Sequence, residues 1–140
     1  MKILQIVGNK KVGKTTTMVN FVEFAKSENL TVVCLKQAHE AQFDVEGTDT
    51  YKFAQAGADA VGLTVGNEML WHEKTQTELS DLISKVSKDT DLLLLEGFRH
   101  VADYPRLTLI EKFKGEYNGI EYDLSDTMKR KDWLKQWLTN

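Results

Sequence analysis

Gly8-Asn9-Lys10-Lys11-Val12-Gly13-Lys14-Thr15 is a complete G-x-x-x-x-G-K-[ST] phosphate-binding loop. An apolar run, Ile3 to Val7, precedes it, and a helix-like run, Thr16 to Lys26, follows. A strand, a glycine-bounded loop and a helix in that order are the context that separates this motif from an incidental Gly-Lys-Thr turn. Backbone N–H groups of such a loop cradle a β-phosphate, and the helix N-terminus adds partial positive charge beside it. The motif assigns Lys14 to the β/γ-phosphates and the Thr15 hydroxyl to Mg²⁺, with Thr16 next to them in the first helical turn. A nucleoside phosphate ligand is therefore expected.

Working outward, the chain alternates strand and helix. Thr31 to Leu35 is short, β-branched and apolar, and reads as a second strand. A polar stretch with three acids, Glu40, Asp44 and Glu46, leads to a short helix from about Asp49 to Ala56, with Thr48 as its cap and Gly57 as its stop. Ala60 to Val65 is the next strand. Thr75-Gln76-Thr77-Glu78 has the form of a capping box, and Leu79, Leu82, Ile83 and Val86 follow at helical spacing. Leu92 to Leu95 is an apolar strand of the kind found in the middle of a parallel sheet. Pro105 to Ile110 is another strand. Asn118-Gly119 marks a hairpin, and Ser125 to Leu138 a last helix with Trp133, Leu134, Trp137 and Leu138 on one stripe. At that spacing the tryptophans read as packing rather than as a surface for a base. The pattern predicts a single domain over 1–140, a three-layer α/β P-loop NTPase fold with a mostly parallel sheet.

A chain of 140 residues, 41% apolar and 28% charged, can bury one core. A net charge of −3 creates no general attraction for nucleic acid or anionic membrane. No apolar run approaches the ~20 residues of a membrane span. Met1 leads straight into the first strand, so no signal peptide is expected. The lone Cys34, in an apolar run, is expected to be a buried thiol. A disulfide framework is excluded, and a cytoplasmic location is expected.

A phosphate loop needs a metal and an oriented water to hydrolyse anything. The metal is usually held by the loop's Ser or Thr and an acid at the tip of a neighbouring apolar strand. Glu96, directly after four leucines, fits that place, and Gly97 beside it lets the backbone pass close to a γ-phosphate. Asp44 and Asp49 follow the second strand, whose loop should face the ligand crevice, and are further candidates for Mg²⁺. Asp49 has a second reading as a first-turn acid that favours its helix's dipole. Lys10, Lys11, Lys36 and Arg99 are candidate phosphate or substrate contacts. His39, His72 and His100 are too widely spaced to define a metal site. No Asn-Lys-x-Asp sequence occurs, so the residues alone do not choose a base.

With these motifs in order, the chain resembles the MobB family, the molybdopterin-guanine dinucleotide biosynthesis protein B group, from Met1 to about Ile110. Beyond the P-loop, the resemblance rests on Lys36, His39, Phe43-Asp44 and Gly47-Thr48-Asp49-Thr50. It continues in Ala56-Gly57-Ala58-Asp59-Ala60-Val61, in Leu94-Leu95-Glu96-Gly97-Phe98-Arg99, which is similar to a Glu-Gly-Phe-Lys signature, and in Pro105-Arg106-Leu107. Gln37 and Glu40 stand where that family often has histidines, and Tyr117 to Asp126 is more polar than its last strand. Asn9 differs from the lysine that partitioning and nitrogenase-type ATPases carry after the first glycine. The resemblance implies a Mg²⁺-dependent GTP-binding accessory protein and slow GTPase. It implies a homodimer that assists a separate molybdopterin guanylyltransferase. Lys14, Glu96 and Asp49 would then be the catalytic groups. Rival readings are a P-loop kinase or ligase acting on a small metabolite, a nickel metallochaperone GTPase and a non-hydrolysing nucleotide sensor. Three arginines, sparse histidines and one cysteine count against the first two. No internal arginine finger is evident near the P-loop from the sequence, so an accelerating charge is expected in trans, from Lys10 or Arg99 of a second subunit or from the guanylyltransferase.

Overall fold

The computed structural model describes residues 1–39 and 43–140. Glu40 therefore lies outside the described residues. The contacts form two compact units: Met1–Gln37 with Ile83–Asn140, and Ala38–Leu82.

The first unit holds a six-stranded sheet flanked by helices. Its strands are β1 (Lys2–Gly8), β2 (Val32–Lys36), β5 (Leu92–Glu96), β6 (Arg106–Glu111), β7 (Lys114–Tyr117) and β8 (Ile120–Asp123), in the spatial order β2-β5-β1-β6-β7-β8. The first four are mutually parallel, and β7 and β8 add an antiparallel edge. Leu92 to Leu95 are all fully buried, as a strand covered on both faces requires. The Asn118-Gly119 turn takes two left-handed residues, φ 51 and 79, and joins Tyr117 to Ile120 as its sequence predicts. The resulting hairpin belongs to the main sheet.

Helices α1 (Lys14–Ser27) and α4 (Thr127–Thr139) pack together over the core. Trp133 stacks on Phe21 at 5.8 Å and meets Tyr117 and Tyr122 edge-on, so the aromatic stripe is packing. Asp126 caps α4 by accepting from the Lys129 N–H at 2.8 Å. Just before it, Asp123 accepts from Lys129 Nζ at 2.7 Å and from the Ser125 N–H at 2.9 Å. Those bonds, the one from Lys129 first, lower the Asp123 pKa from 3.8 to about 2. A depressed carboxylate pKa means a stabilising contribution that is complete above pH 3.8 and is lost as pH falls through about 2. A carboxyl-resolved NMR titration should place Asp123 near that lower value. Lys129→Ala should move its midpoint up toward 3.8.

The second unit contains α2 (Asp49–Gln55) and a separate two-stranded antiparallel sheet of β3 (Ala60–Val65) and β4 (Glu68–Glu73). Thr48 caps α2 through the Tyr51 N–H. The predicted strand at 60–65 is present but pairs with β4, which the sequence reading did not contain. The Gly66-Asn67 turn between Val65 and Glu68 was its signal.

Helix α3 (Leu79–Val86) crosses the sequence boundary between the units, and it corrects the capping-box expectation. The Thr75 hydroxyl reaches only the Gln76 carbonyl, at 3.5 Å, and it is the Glu78 carbonyl that accepts the first helical N–H groups, from Asp81 and Leu82. Leu79 is the first buried position, so a helix begun at Gln76 would gain no apolar contact from its extra turn. Cys34 is a second correction. It is exposed because β2 is an edge strand, although the apolar groove it lines desolvates the thiol enough to raise its pKa. Among the described residues, no helix is long and apolar enough to cross a membrane.

Candidate functional site

The parallel register brings the motifs to one end of the sheet. Ile6 and Lys36 lie beside Glu96 on either side, and Gly8 lies level with Leu109. The loop after β1 therefore leaves from the same edge at which β2 ends in Lys36 and β5 ends in Glu96.

Gly13 heads α1 with φ 94 and no side-chain cap, leaving the first-turn N–H groups without a side-chain acceptor. A Cβ on Gly13 would lie 2.4 Å from the Phe113 ring, and the Phe113 N–H donates to the Val12 carbonyl at 3.0 Å. The β6–β7 turn thus braces the loop, and the site requires glycine there for both space and conformation. Arg130 lies over the Phe113 ring at 4.8 Å and is itself held by Asn20 and the Leu124 carbonyl.

Lys14 Nζ donates to the Gly8 carbonyl at 2.7 Å and stands 3.6 Å from Glu96 Oε1. Lys36 Nζ is 3.5 Å from Glu96 Oε2. Glu96 is 8% exposed, so it is no loose surface carboxylate at a strand end. Gly97 follows with φ 90, and a Cβ there would meet the Gln37 carbonyl at 3.2 Å. Thr15, Lys36 and Glu96 line a groove of about 400 Å³ together with Met18, Val19, Val22, Cys34 and Leu35.

The structure thus brings together Gly8, Gly13, Lys14, Thr15, Lys36, Glu96 and Gly97. Asn9, Lys10, Lys11 and Thr16 are exposed on the loop and first turn, and Val12 is half-buried. Asp44 and Asp49 belong to the second unit, where their contacts are local. Asp44 accepts from the Val45 N–H at 2.8 Å, and hydrogen bonding, from Thr50 first, lowers its pKa. Asp49 is the first residue of α2. His72 tilts against Phe43 at 4.8 Å. Among the described residues, no three His, Cys, Asp or Glu side chains assemble into a group that would hold a metal by itself. The donors at the groove, one hydroxyl and one carboxylate, suit a hard cation that takes the rest of its shell from phosphate and water.

Sequence reasoning missed Gln5, Arg106 and Phe113, which hold the loops around this site. Gln5 left one trace, as the polar residue inside Ile3-Leu4-Gln5-Ile6-Val7. It is fully buried.

Known proteins resemble this chain over most of its length. The probable molybdopterin-guanine dinucleotide biosynthesis adapter protein of Bacillus subtilis is 32% identical over 114 residues, covering 79% of this chain and 65% of that protein. The corresponding adapter protein of Haemophilus influenzae is 31% identical over 103 residues, 69% of this chain and 57% of that protein. The chain spans between 57% and 65% of the length of the curated relatives it matches. The crystal structure of Bacillus subtilis MobB superposes with a TM-score of 0.67 at 32% identity, over 79% of this chain and 68% of that one. The MobB homologue of Bacillus stearothermophilus gives 0.74 over 99% of both chains at 20% identity, a likeness of fold. The family model for molybdopterin guanine dinucleotide synthesis protein B matches residues 3–125. That match covers most of the chain, and the chain belongs to the MobB family.

Proposed function

We propose that this chain is a Mg²⁺-dependent GTP-binding adapter in molybdopterin-guanine dinucleotide biosynthesis, and that it hydrolyses GTP slowly. The observation that carries the reading is the meeting of an uncapped, glycine-headed helix, Lys14 and buried Glu96 at one strand edge. Loop N–H groups and Lys14 hold the phosphate chain, while Thr15 and Glu96 would hold Mg²⁺. The ion would supply charge neutralisation between the phosphates. Lys36 Nζ, 3.5 Å from Glu96 Oε2, orients that carboxylate. Slow turnover is in keeping with a site where, among the described residues, no side chain is fixed to orient a water; Gln37, the nearest candidate, is exposed. The function is that of an adapter to a molybdopterin guanylyltransferase. The proposed oligomer is a homodimer, in keeping with the exposed Leu63, Val65, Met69, Leu70 and Trp71 of the β3–β4 hairpin.

Titration with GTP, ATP and their diphosphates, with and without Mg²⁺, tests this function. Preferential Mg²⁺-dependent binding of GTP is expected, and absence of nucleotide binding overturns it. Glu96→Gln should raise the Mg²⁺ concentration needed for half-maximal turnover at least about tenfold, as loss of metal-supporting groups commonly does. Diphosphate affinity without metal should change little, because the backbone loop is untouched. An unaltered Mg²⁺ requirement would remove Glu96 from the metal's shell.

A further inference from the structure

We infer that Arg99 grips the terminal phosphate in cis, presented to the P-loop by a strained turn that Gln5 and Arg106 lock in place. The inference rests on the triphosphate reading above and names a group that reading does not use.

The turn after β5 puts two consecutive residues in the left-handed region, Gly97 at φ 90 and Phe98 at φ 54. Glycine tolerates this; phenylalanine does not, and a bulky residue so placed persists only where its surroundings over-determine it. Here they do. Phe98 is buried, and Gln5 Nε2 donates to both the Gly97 and the Phe98 carbonyls at 2.8 Å. The Gly97 N–H donates to the Ile6 carbonyl at 3.1 Å, and the Val101 N–H to the Phe98 carbonyl at 2.9 Å. Arg106 ties the assembly together, donating to Gln5 Oε1 at 3.2 Å, to the Arg99 carbonyl at 3.2 Å and to the Val101 carbonyl. A fully buried glutamine spends its amide on one turn, and a second arginine fixes the far side of that turn.

What this apparatus holds is Arg99, whose guanidinium donates to the Gly8 carbonyl. Lys14 Nζ donates to that same oxygen. Two cations therefore converge on the first glycine of the phosphate loop, with Lys36 close behind Glu96. Among the described residues, Glu96 is the carboxylate paired with Lys14 and Lys36, and none forms an ion pair with Arg99. Three cations against one carboxylate make a site short of negative charge. Among the described residues, one acceptor, the Gly8 carbonyl, engages the five N–H groups of Arg99, and the rest of the fork is available to phosphate oxygens. Lys14 serves the β/γ junction from the loop side. Arg99 reaches the site from the strand-end side, where a terminal phosphate would extend past Gly97. A diphosphate would lack the group that Arg99 contacts.

The test compares wild type, Arg99→Ala and Arg99→Lys by titration with Mg²⁺ and the fluorescent analogues mant-GTP and mant-GDP. Arg99→Ala is expected to weaken mant-GTP about 10–100-fold, the range of a lost charge-assisted pair, and mant-GDP less than about threefold. Arg99→Lys should fall between, since it keeps the charge but not the fork. In the wild-type protein, mant-GTP should protect Arg99 from phenylglyoxal more than mant-GDP does, as read by peptide mass spectrometry. Equal losses for the two nucleotides, or an unchanged ratio with no protection, would overturn the role of Arg99 while leaving nucleotide binding in place. If mixing Arg99→Ala with Lys14→Ala protein restores tight mant-GTP binding, the guanidinium acts across subunits and the cis assignment fails. Absence of binding of either nucleotide to wild type would instead overturn the triphosphate reading, and Arg99 with it.

Discussion

Lys14→Ala is expected to remove nearly all triphosphate affinity while the protein stays folded. The ammonium serves two phosphates, and each charge-assisted contact is worth roughly 1.5–3 kcal/mol, so the combined loss is about 10²–10⁴-fold. The fold should survive because the partners of Lys14 are local. The Gly8 carbonyl keeps the Arg99 guanidinium, and Glu96 keeps Lys36 at 3.5 Å. Isothermal titration with GTP and a thermal melt on the same preparation check both halves. Undiminished affinity in a folded variant would mean that the loop does not hold the phosphate chain.

Trp133→Ala should have the largest effect on stability. The indole is 7% exposed, stacks on Phe21 at 5.8 Å and on Trp137 at 6.4 Å, and receives Tyr117 and Tyr122 edge-on. It therefore joins α1, α4 and the β7–β8 hairpin. Truncating a buried tryptophan costs about 3–5 kcal/mol through lost transfer energy and the cavity left behind. Set against a total stability of about 5–15 kcal/mol, that should lower the melting temperature by roughly 10–20 °C. Below the transition, nucleotide affinity should be nearly unchanged, because the ring faces the core. A small thermal shift with a large loss of affinity would make the tryptophan a base-stacking group instead.

The parts of the fold that were legible in the sequence are those written over a few consecutive residues. The β1–loop–α1 junction announces itself through the spacing of Gly8, Gly13, Lys14 and Thr15, β5 through unbroken leucines and the β7–β8 turn through Asn118-Gly119. Thr48 and Gly57 bracket α2 for the same reason. Strand β4 was missed because Glu68 to Glu73 is exposed along nearly its whole length and so shows no in-and-out alternation. The capping box at Thr75 failed because a local signal met no apolar face until Leu79. Within the candidate site, the nearness of Lys14, Thr15 and Glu96 was readable, whereas the Gln5–Phe98–Arg106 assembly was not. Its contacts join residues up to 101 positions apart, and no pattern within a window of ten could show them. Cys34 was misjudged for a related reason: an apolar run does not say whether its strand lies at the middle or the edge of a sheet.

The β3–β4 hairpin carries a kinetic consequence. Leu92 to Leu95 are sealed inside the main sheet with hydrogen-bonded neighbours on both sides, whereas among the described residues β3 and β4 pair as a two-stranded sheet and expose most of their side chains. Two strands alone are marginal in water, and within their unit helix α2 packs on β3, with Lys74 Nζ reaching the Ala54 carbonyl at 2.6 Å. Deuterium should therefore enter the amides of 60–73 through small local openings, orders of magnitude faster than those of β5, which exchange only when the whole sheet comes apart. The chain would then work with a protection gradient along its length, slow beneath the phosphate loop and fast in the hairpin.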